Sequence, residues 1–317
     1  MDRILVTGGA GFIGSNFVRY LLSNTDSTVF NLDKLTYAGN LNNIKDLRAN
    51  ERHEFVRGDI RNNKLVTRLI KRVDAVVNFA AESHVDRSIR TPGVFVQANI
   101  VGVHTLLEAC RKFEVKFEQI STDEVYGSRM AGSFVETDRL NPSSPYSASK
   151  AAADLLTLAY NFTYALDVVI TRSTNNYGPH QHPEKLIPKL ITNALRRKRF
   201  PIYGTGENVR DWIFVEDHCQ AIYTVLTKGE KGQSYNIAAG IEKTNIEIAK
   251  DVLRRLSLPD TMLDFVGERP GHDFRYSLNC DKIHALGWTP KVAFPDGLQK
   301  TVEWYKANKS WWRPLVK

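Results

Sequence analysis

The sequence predicts an α/β protein with a doubly wound parallel sheet and a smaller C-terminal lobe of mixed α/β structure. Three observations predict this class. Short apolar segments alternate with helical patterns through the first half of the chain, the first segment runs into a glycine-rich turn that opens a helix, and the alternation stops near residue 175. Parallel strands joined by helices produce this alternation. We therefore expect a sheet domain over residues 1–175 and a lobe over residues 176–317, with some segments of the lobe returning to the sheet domain.

Composition and charge narrow the class of protein. Hydrophobic residues make up 42% and charged residues 25% of the 317 residues, which is typical of a globular protein. No apolar run is expected to reach the roughly 18 residues of a membrane span, and strand-like sequence from Arg3 leaves no room for a signal peptide. The net charge of +8 favours an anionic partner, either nucleic acid or a phosphorylated small molecule.

The cysteines and histidines give no metal or disulfide pattern. Cys110, Cys219 and Cys280 are far apart and form no Cys-x-x-Cys pair, which argues against a disulfide framework and favours a reducing cytoplasm. His180 and His182 form a His-x-His pair, but no cluster of carboxylates or thiols accompanies them. A hydrogen-bonded loop is therefore favoured over a metal site, and we predict no metal.

The first strand, residues 3–6, leads into a glycine turn and a helix that ends near Asn24. The turn fits Gly-x-Gly-x-x-Gly from Gly9, and equally Gly-x-x-Gly-x-x-Gly from Gly8 to Gly14. Glycines between a strand and a helix let backbone amides approach a pyrophosphate at the helix N-terminus. The context predicts a Rossmann-type dinucleotide site.

The second strand, residues 28–32, ends in Asp33, which follows Gly14 by 19 residues. An acid near this spacing binds the adenosine ribose hydroxyls and repels a 2′-phosphate, so it favours NAD over NADP. The adjacent Lys34 could tolerate such a phosphate. Asp33 could alternatively cap a turn.

The next two strands contribute further cofactor candidates. After the strand at residues 54–57, Asp59 could approach the adenine or cap the helix predicted over residues 62–72. The strand at residues 75–79 ends in Ala80 and Ala81, whose small side chains would let a flat cofactor lie against the strand. His84 follows them, and a positioning role is favoured for it.

The fifth strand, residues 117–120, leads towards two adjacent carboxylates, Asp123 and Glu124. Ligands of open α/β sheets bind at the carboxyl ends of the strands, and two acids of different burial can divide into a proton donor and a proton acceptor. Capping of the following loop is the alternative. Successive side chains of a strand face opposite ways, so both acids can reach one ligand only if the strand ends before Asp123.

Tyr146 and Lys150 precede a helix predicted over residues 151–164 and are four residues apart, which places them on one helical face. An ammonium beside a phenol favours the phenolate, so we expect a lowered Tyr146 pKa suited to a general base. Lys150 could also hold the nicotinamide ribose.

The helix predicted over residues 92–113 carries more apolar surface than one face of a sheet requires. Core packing is one explanation and a subunit interface the other. In the second half, a helix at residues 184–195 precedes the basic run 196–199, for which a solvated helix end is favoured over a nucleic-acid site.

Seven motifs together resemble the dTDP-glucose 4,6-dehydratases of the extended short-chain dehydrogenase/reductase family over essentially the whole chain. They lie at residues 7–14 (TGGAGFIG), 32–40 (LDKLTYAGN), 80–88 (AAESHVDRS), 120–127 (ISTDEVYG), 146–150 (YSASK), 175–179 (NNYGP) and 269–273 (RPGHD). The acid pair separates this family from the related sugar-nucleotide 4-epimerases, which share the glycine turn and Tyr-x-x-x-Lys. An epimerase needs only hydride removal and return, whereas a dehydratase needs an additional base and acid.

The resemblance implies an enzyme of deoxysugar (rhamnose-type) nucleotide biosynthesis that uses NAD and acts as a homodimer through the helices at 92–113 and 146–164. It implies that Tyr146, with Thr122 and Lys150, deprotonates the C4 hydroxyl, that Glu124 removes the C5 proton and that Asp123 protonates the departing C6 hydroxyl. It implies an NAD-binding set of Gly8, Gly11, Phe12, Ile13, Gly14, Asp33, Lys34, Thr36, Asp59, Ile60, Ala80, Ala81, Ser83, Asn99, Tyr146, Lys150 and Asn176. It implies a substrate-binding set of Ser83, Thr122, Asp123, Glu124, Asn175, Glu184, Lys185, Leu186, Pro201, Ile202, Tyr203, Arg210, Asn245, Arg269, His272 and Asp273.

Within this set, Arg210 and Arg269 could neutralise a diphosphate. Three alternatives stay open from the sequence: a UDP-glucose 4,6-dehydratase, a sugar-nucleotide 4-epimerase, and a non-catalytic protein that binds NAD or nucleic acid. We expect no nucleic-acid or membrane partner and a cytoplasmic location.

Overall fold

The computed structural model describes residues 1–268 and 273–316, and it confirms the predicted α/β class. The strands are β1 (Arg3–Thr7), β2 (Thr28–Asp33), β3 (His53–Arg57), β4 (Ala75–Asn78), β5 (Lys116–Thr122), β6 (Val168–Ser173), β7 (Asn175–Tyr177), β8 (Phe200–Tyr203), β9 (Val209–Phe214), β10 (Gln233–Ile237), β11 (Glu242–Thr244) and β12 (Leu263–Val266). The helices are α1 (Phe12–Asn24), α2 (Asn63–Ile70), α3 (Val85–Arg90), α4 (Pro92–Phe95), α5 (Gly102–Phe113), α6 (Pro145–Tyr164), α7 (Leu186–Leu195), α8 (Val215–Lys228), α9 (Asn245–Arg255), α10 (Asp281–His284), α11 (Phe294–Ala307) and α12 (Lys309–Trp312).

Seven strands form one parallel sheet in the order β10-β6-β5-β4-β1-β2-β3. The order reverses between β1 and β4, so the connections after these two strands diverge to opposite faces. A crevice opens at such a point beyond the carboxyl ends of the strands. The fold therefore brings the glycine turn after β1, the small residues after β4 and the acids after β5 to one edge.

Two apolar cores cover the sheet. Alternate side chains of the strands point to opposite faces, as Leu5 and Val6 of β1 do, and each face buries a separate cluster. One cluster packs under α1 and α8, and the other packs under α2, α5 and α6. Burial on both faces explains why the central strands are almost continuously apolar.

The C-terminal lobe has its own core between small sheets and the helices α7, α9 and α11. Its sheets have the orders β11-β9-β7 and β12-β8. Strand β10, from the second half of the chain, pairs with β6 and thus belongs to the large sheet. The predicted division at residues 175 and 176 stays a prediction.

Several predicted helix ends differ from the structure. Helix α6 begins at Pro145, six residues before the predicted start, because Ser144 and Ser147 form a reciprocal N-terminal cap. The helix predicted over 184–195 begins at Leu186. The helix predicted over 92–113 contains a π-helical segment, Val96–Val101, between α4 and α5.

The helical segment Pro92–Phe113 corrects the expectation that no apolar run is long enough to span a membrane. By length and apolar composition alone, this segment could cross one. Half of its most apolar window is buried inside the protein, where α5 packs against α2 and α6. Core helices pass the same test of length and composition.

Candidate active site

A cavity of about 540 Å³ lies at the carboxyl ends of the large sheet. It is lined by most of the residues that the sequence predicted to bind a dinucleotide and by all five predicted catalytic residues. The predicted residues in its lining are Gly8, Gly11, Phe12, Ile13, Gly14, Asp33, Lys34, Thr36, Asp59, Ile60, Ala80, Ala81, Ser83, Thr122, Asp123, Glu124, Tyr146, Lys150, Asn175, Asn176, Glu184 and Lys185.

The glycine turn approaches the end of β4 too closely for side chains. Gly8 has φ +69°, and a Cβ there would lie 2.7 Å from the backbone nitrogen of Ala80. A Cβ on Gly14 would lie 2.4 Å from the carbonyl oxygen of Gly8. Only glycine permits this packing. The first residues of α1, from Phe12 to Gly14, line the cavity, where a helix N-terminus favours an anion.

Asp33 lines the cavity and also holds the glycine turn. Its carboxylate accepts hydrogen bonds from the backbone nitrogens of Ala10 at 2.9 Å and Leu35 at 2.7 Å. Burial raises the pKa of Asp33, while these two bonds act in the opposite direction. Asp33 therefore caps the turn, as the alternative proposed, and it also faces the cavity, as ribose binding requires.

Lys34 is engaged in an ion pair beside this position. Its Nζ lies 2.9 Å from Asp59 Oδ2, and Arg61 Nη2 lies 2.7 Å from the same oxygen. Burial opposes the effect, but hydrogen bonds from Arg61 and Lys34 hold the pKa of Asp59 well below its usual range. The ammonium that could have tolerated a 2′-phosphate is therefore partly neutralised by Asp59.

The two adjacent acids lie beyond the end of their strand, as their joint action requires. β5 ends at Thr122, and Asp123–Tyr126 forms a single 3₁₀ turn. The Thr122 hydroxyl caps this turn by accepting from the backbone nitrogen of Glu124 at 3.3 Å. The strand alternation does not apply in the turn, and both carboxyl groups line the same cavity.

The two acids have different environments. Asp123 is buried and Glu124 is half-buried. Burial and the like charge of Glu124 raise the pKa of Asp123 to about 8, against a hydrogen bond that Asp123 Oδ1 accepts from Thr122 at 3.1 Å. Asp123 therefore holds a proton at neutral pH and is suited to act as an acid.

The phenol and ammonium differ from the expectation. Burial raises the pKa of Tyr146, Glu124 adds to the effect, and a hydrogen bond with Thr122 opposes it. Lys150 donates to the carbonyl oxygen of Ile120, and burial lowers the Lys150 pKa to about 8. The prediction of a lowered Tyr146 pKa is wrong for this structure, because burial of the phenol and the charge of Glu124 favour the protonated form.

Asn99 acts behind the cavity rather than in its lining. Its side chain, 1% exposed, donates to the Glu82 carbonyl at 3.0 Å and to Ser149 Oγ at 2.8 Å, and accepts from the Glu82 nitrogen at 2.9 Å. It belongs to the π-helical segment. Asn99 thus holds the loop after β4, and its contact with the cofactor stays a prediction.

The predicted substrate contacts divide into three groups. Those that line the cavity are Ser83, Thr122, Asp123, Glu124, Asn175, Glu184 and Lys185. Lys185 Nζ donates to the Ser83 carbonyl at 3.1 Å. Seven others lie outside the lining that the described residues form: Leu186, Pro201, Ile202, Tyr203, Arg210, Asn245 and Asp273. Arg269 and His272 lie outside the described residues.

Arg210 is committed to the backbone. Its guanidinium, 6% exposed, donates to the carbonyl oxygens of Asp273 at 2.8 Å and Phe274 at 3.1 Å. It stacks over the ring of Tyr276, with 4.5 Å to the centroid. The cation also lies near enough to act on the Asp123 pKa. The contact of Arg210 with a diphosphate stays a prediction.

Sequence reasoning missed several residues of the cavity. Glu82, Arg61 and Gln181 line it, and Tyr276 interacts electrostatically with Glu124. Glu82 lies within a motif already noted, so its position after β4 could have identified it. Tyr276 could not be found this way, because its proximity depends on how distant segments pack. Among residues 1–268 and 273–316, no three His, Cys, Asp or Glu side chains form a metal-binding group.

Comparisons with known proteins agree with this geometry. The family model described as GDP-mannose 4,6 dehydratase matches residues 5–301. The dTDP-glucose 4,6-dehydratase of Streptomyces niveus is 51% identical over 322 aligned residues, which cover 99% of this chain and 95% of the relative.

Solved structures show the same likeness. DesIV, a dTDP-glucose 4,6-dehydratase from Streptomyces venezuelae with NAD and TYD bound, matches with a TM-score of 0.97 and 50% identity, covering 99% of this chain and 100% of DesIV. The NAD complex of UDP-glucose 4-epimerase from Thermus thermophilus matches with a TM-score of 0.89 and 32% identity, covering 96% and 99%. The likeness is stronger to the dehydratases than to that epimerase.

Proposed function

The chain belongs to the dTDP-glucose 4,6-dehydratase family, and we propose that it converts dTDP-glucose to dTDP-4-keto-6-deoxyglucose by an NAD-dependent, redox-neutral dehydration. The observation that carries this function is the pair Asp123 and Glu124 in one cavity with Tyr146 and Lys150. Elimination of water needs a proton donor and a proton acceptor in addition to the base that starts C4 oxidation. Asp123, protonated at neutral pH, and Glu124 supply them.

The residues around the glycine turn fit NAD. The close packing of Gly8 on Ala80 leaves the first amides of α1 for a pyrophosphate, and Asp33 lines the adjacent part of the cavity. Bound there, NAD would supply the acceptor of the C4 hydride and the donor of hydride to C6, and the positive charge of its oxidised form would favour the Tyr146 phenolate.

Tyr146 takes the proton of the C4 hydroxyl, and Thr122 bonds to the phenol. The resulting C4 ketone acidifies the C5 hydrogen, which Glu124 removes. Asp123 gives its proton to the C6 hydroxyl, and the C6–O bond breaks with loss of water. Glu124 returns its proton to C5 as C6 receives the hydride, so that oxidation at C4 is balanced by reduction at C6. The proton that Tyr146 took replaces, through solvent, the one that Asp123 gave.

We further propose a homodimer. The helices at 92–113 and 145–164 pack on each other and leave large apolar side chains exposed on their outer surfaces. Phe162 is 95% exposed and Leu155 58%. Exposed apolar surface of this size on neighbouring helices fits a second copy of the same chain.

The buried free cysteines fit a reducing cytoplasm, which we propose as the location of the protein.

Turnover of a panel of sugar nucleotides tests the function. Wild-type protein is incubated with dTDP-, UDP-, CDP- and GDP-glucose without added reductant, and products are identified by NMR. We expect a 4-keto-6-deoxy product, formed fastest from dTDP-glucose. The double variant Asp123→Asn/Glu124→Gln should keep NAD and C4 oxidation while losing elimination. Full elimination activity in this variant would contradict the assignment.

The same panel separates the other candidates. The likeness to a UDP-glucose 4-epimerase at 32% identity motivates the epimerase alternative, which would interconvert gluco and galacto sugars without a deoxy product. Preference for UDP-glucose with formation of the deoxy product would identify a UDP-glucose 4,6-dehydratase. Salt-sensitive binding of nucleic acid without turnover of any sugar nucleotide would support a binding protein.

A further inference from the structure

Tyr126 is the last residue of the turn that carries the two acids. Its ring is buried at 2% exposure and stacks on Phe134, with 4.9 Å between ring centroids. Its hydroxyl donates to Asn236 Oδ1 at 2.9 Å and accepts from Arg172 Nη1 at 2.7 Å. Burial raises the pKa of Tyr126 to about 12, so the hydroxyl keeps the proton that it donates. One hydroxyl therefore ties the acid turn to two other strands.

Arg172 continues the connection. It lies on β6 opposite Ser121 of β5, and its Nε donates to Asp154 Oδ2 at 2.9 Å. Both side chains of this ion pair are buried, at 3% and 0% exposure. A buried pair held by hydrogen bonds keeps a defined geometry, because separation would leave an uncompensated charge.

Asp154 lies on α6, the helix that also carries Tyr146 and Lys150. It follows Lys150 by one helical turn, and its charge acts on the Lys150 ammonium. The path Tyr126–Arg172–Asp154 thus joins the turn of the acid pair to the helix of the phenol–ammonium pair. Asn236 of β10, which accepts from the Tyr126 hydroxyl, also bonds the segment that stacks on the Tyr126 ring, because its Nδ2 donates to the Phe134 carbonyl at 3.0 Å.

We propose that Tyr126 is a positioning residue, whose hydroxyl fixes the Asp123–Glu124 turn relative to Tyr146 and Lys150. This inference rests on the proposed dehydration. The two proton-transfer pairs act on neighbouring carbons of one sugar, so their relative position must be kept within a fraction of an ångström. Tyr126 touches none of the reacting atoms and acts only through the turn.

The test is the variant Tyr126→Phe, which keeps the buried ring and removes the link. In single-turnover experiments with dTDP-glucose, C4 oxidation is followed by the absorbance of the reduced nicotinamide, and elimination by the deoxy product. We expect elimination to fall about 10-fold to 100-fold and C4 oxidation to change less than about twofold. Equal loss in both steps, or no loss in either, would overturn the proposal.

Two further variants sharpen the result. Tyr235→Phe is the matched control, because Tyr235 is also buried but its hydroxyl accepts from a backbone nitrogen, that of Glu230, at 2.8 Å. Both steps should stay within about twofold of wild type in this control.

Arg172→Lys keeps the charge beside Asp154. It should reproduce the selective loss of elimination without adding to the loss caused by Tyr126→Phe. Multiplicative losses in the double variant would show separate actions and overturn the link.

A substrate-free measurement separates this inference from the proposed function. Amide hydrogen exchange over residues 122–127 should be faster in Tyr126→Phe than in wild type and in Tyr235→Phe. If wild-type protein fails to turn over dTDP-glucose, the proposed function falls and exchange decides the positioning role. Unchanged exchange in Tyr126→Phe would then overturn it.

Discussion

Asp123 is buried beside the half-buried Glu124, and burial together with the charge of Glu124 raises the Asp123 pKa to about 8. Asp123 thereby holds a proton at neutral pH. This proton identifies Asp123 as the acid of the proposed elimination, which the order of the two residues along the chain cannot do.

The activity should therefore fall as pH rises through about 8, because Asp123 loses the proton that it gives to the leaving hydroxyl. Asp123→Asn should lower the rate of elimination by about 100-fold or more. The check is kcat for the deoxy product across this range in both proteins. A wild-type rate of elimination in the variant would contradict the acid role.

Asp123 should also make stability depend on pH. The folded state holds a proton that the unfolded state, with an Asp pKa near 3.8, releases. The stability of the wild type should therefore fall as pH rises from about 4 to about 8. Asp123→Asn should remove this slope in urea unfolding.

Asp154→Asn is the contrasting variant. It should lower the free energy of unfolding by about 3–5 kcal/mol, because it leaves buried Arg172 unpaired.

Glu124→Gln should abolish proton exchange at C5 while C4 oxidation continues. Removal of its charge should also lower the Asp123 pKa and move the fall of any residual activity to lower pH. Deuterium incorporation at C5 from heavy water measures the first effect. Wild-type incorporation in the variant would assign the C5 base elsewhere.

Asp33→Ala should weaken NAD binding by about tenfold or more. The carboxylate that lines the cavity also holds the backbone nitrogens of Ala10 and Leu35, and charge-assisted bonds of this kind are strong. Calorimetry with NAD and NADP measures the change. Lys34→Ala is the neighbouring control, and a smaller loss for Asp33→Ala than for this control would argue against the ribose role.

Phe162→Glu should convert the proposed dimer to monomers, because it would bury a charge in the proposed apolar interface. Light scattering over a range of concentrations reads the mass. Met130→Glu is the matched control, since Met130 is 70% exposed outside the two helices. Dissociation by both variants, or by neither, would contradict an interface at Phe162.

The dinucleotide turn, Asp33, the acid pair and the Tyr146–Lys150 pair could all be predicted because each is a local pattern of residue type and spacing. The direction of a side chain at the end of a packed segment could not. Arg210 is an example, because the packing of β9 against residues 273–274 directs its guanidinium to backbone carbonyls. Its contact with a diphosphate stays a prediction.

The burial of the site residues, which shifts their pKa values, could not be predicted from the sequence either. Spacing placed Lys150 beside Tyr146, yet the pKa of the phenol depends on the water that packing removes. The same holds for the end of β5 at Thr122, since a one-residue difference decides whether the two acids diverge or share a cavity.

Strand β10 carries a consequence for the order of synthesis. It covers the edge of β6 and brings Asn236 to the hydroxyl of Tyr126, although it lies some sixty residues after β6 along the chain. A ribosome that has released only the first half leaves β6 with an open edge, which invites pairing with other chains. The acid turn can take its final position only after residue 237 has emerged, so maturation of the active site is a late event on the nascent chain.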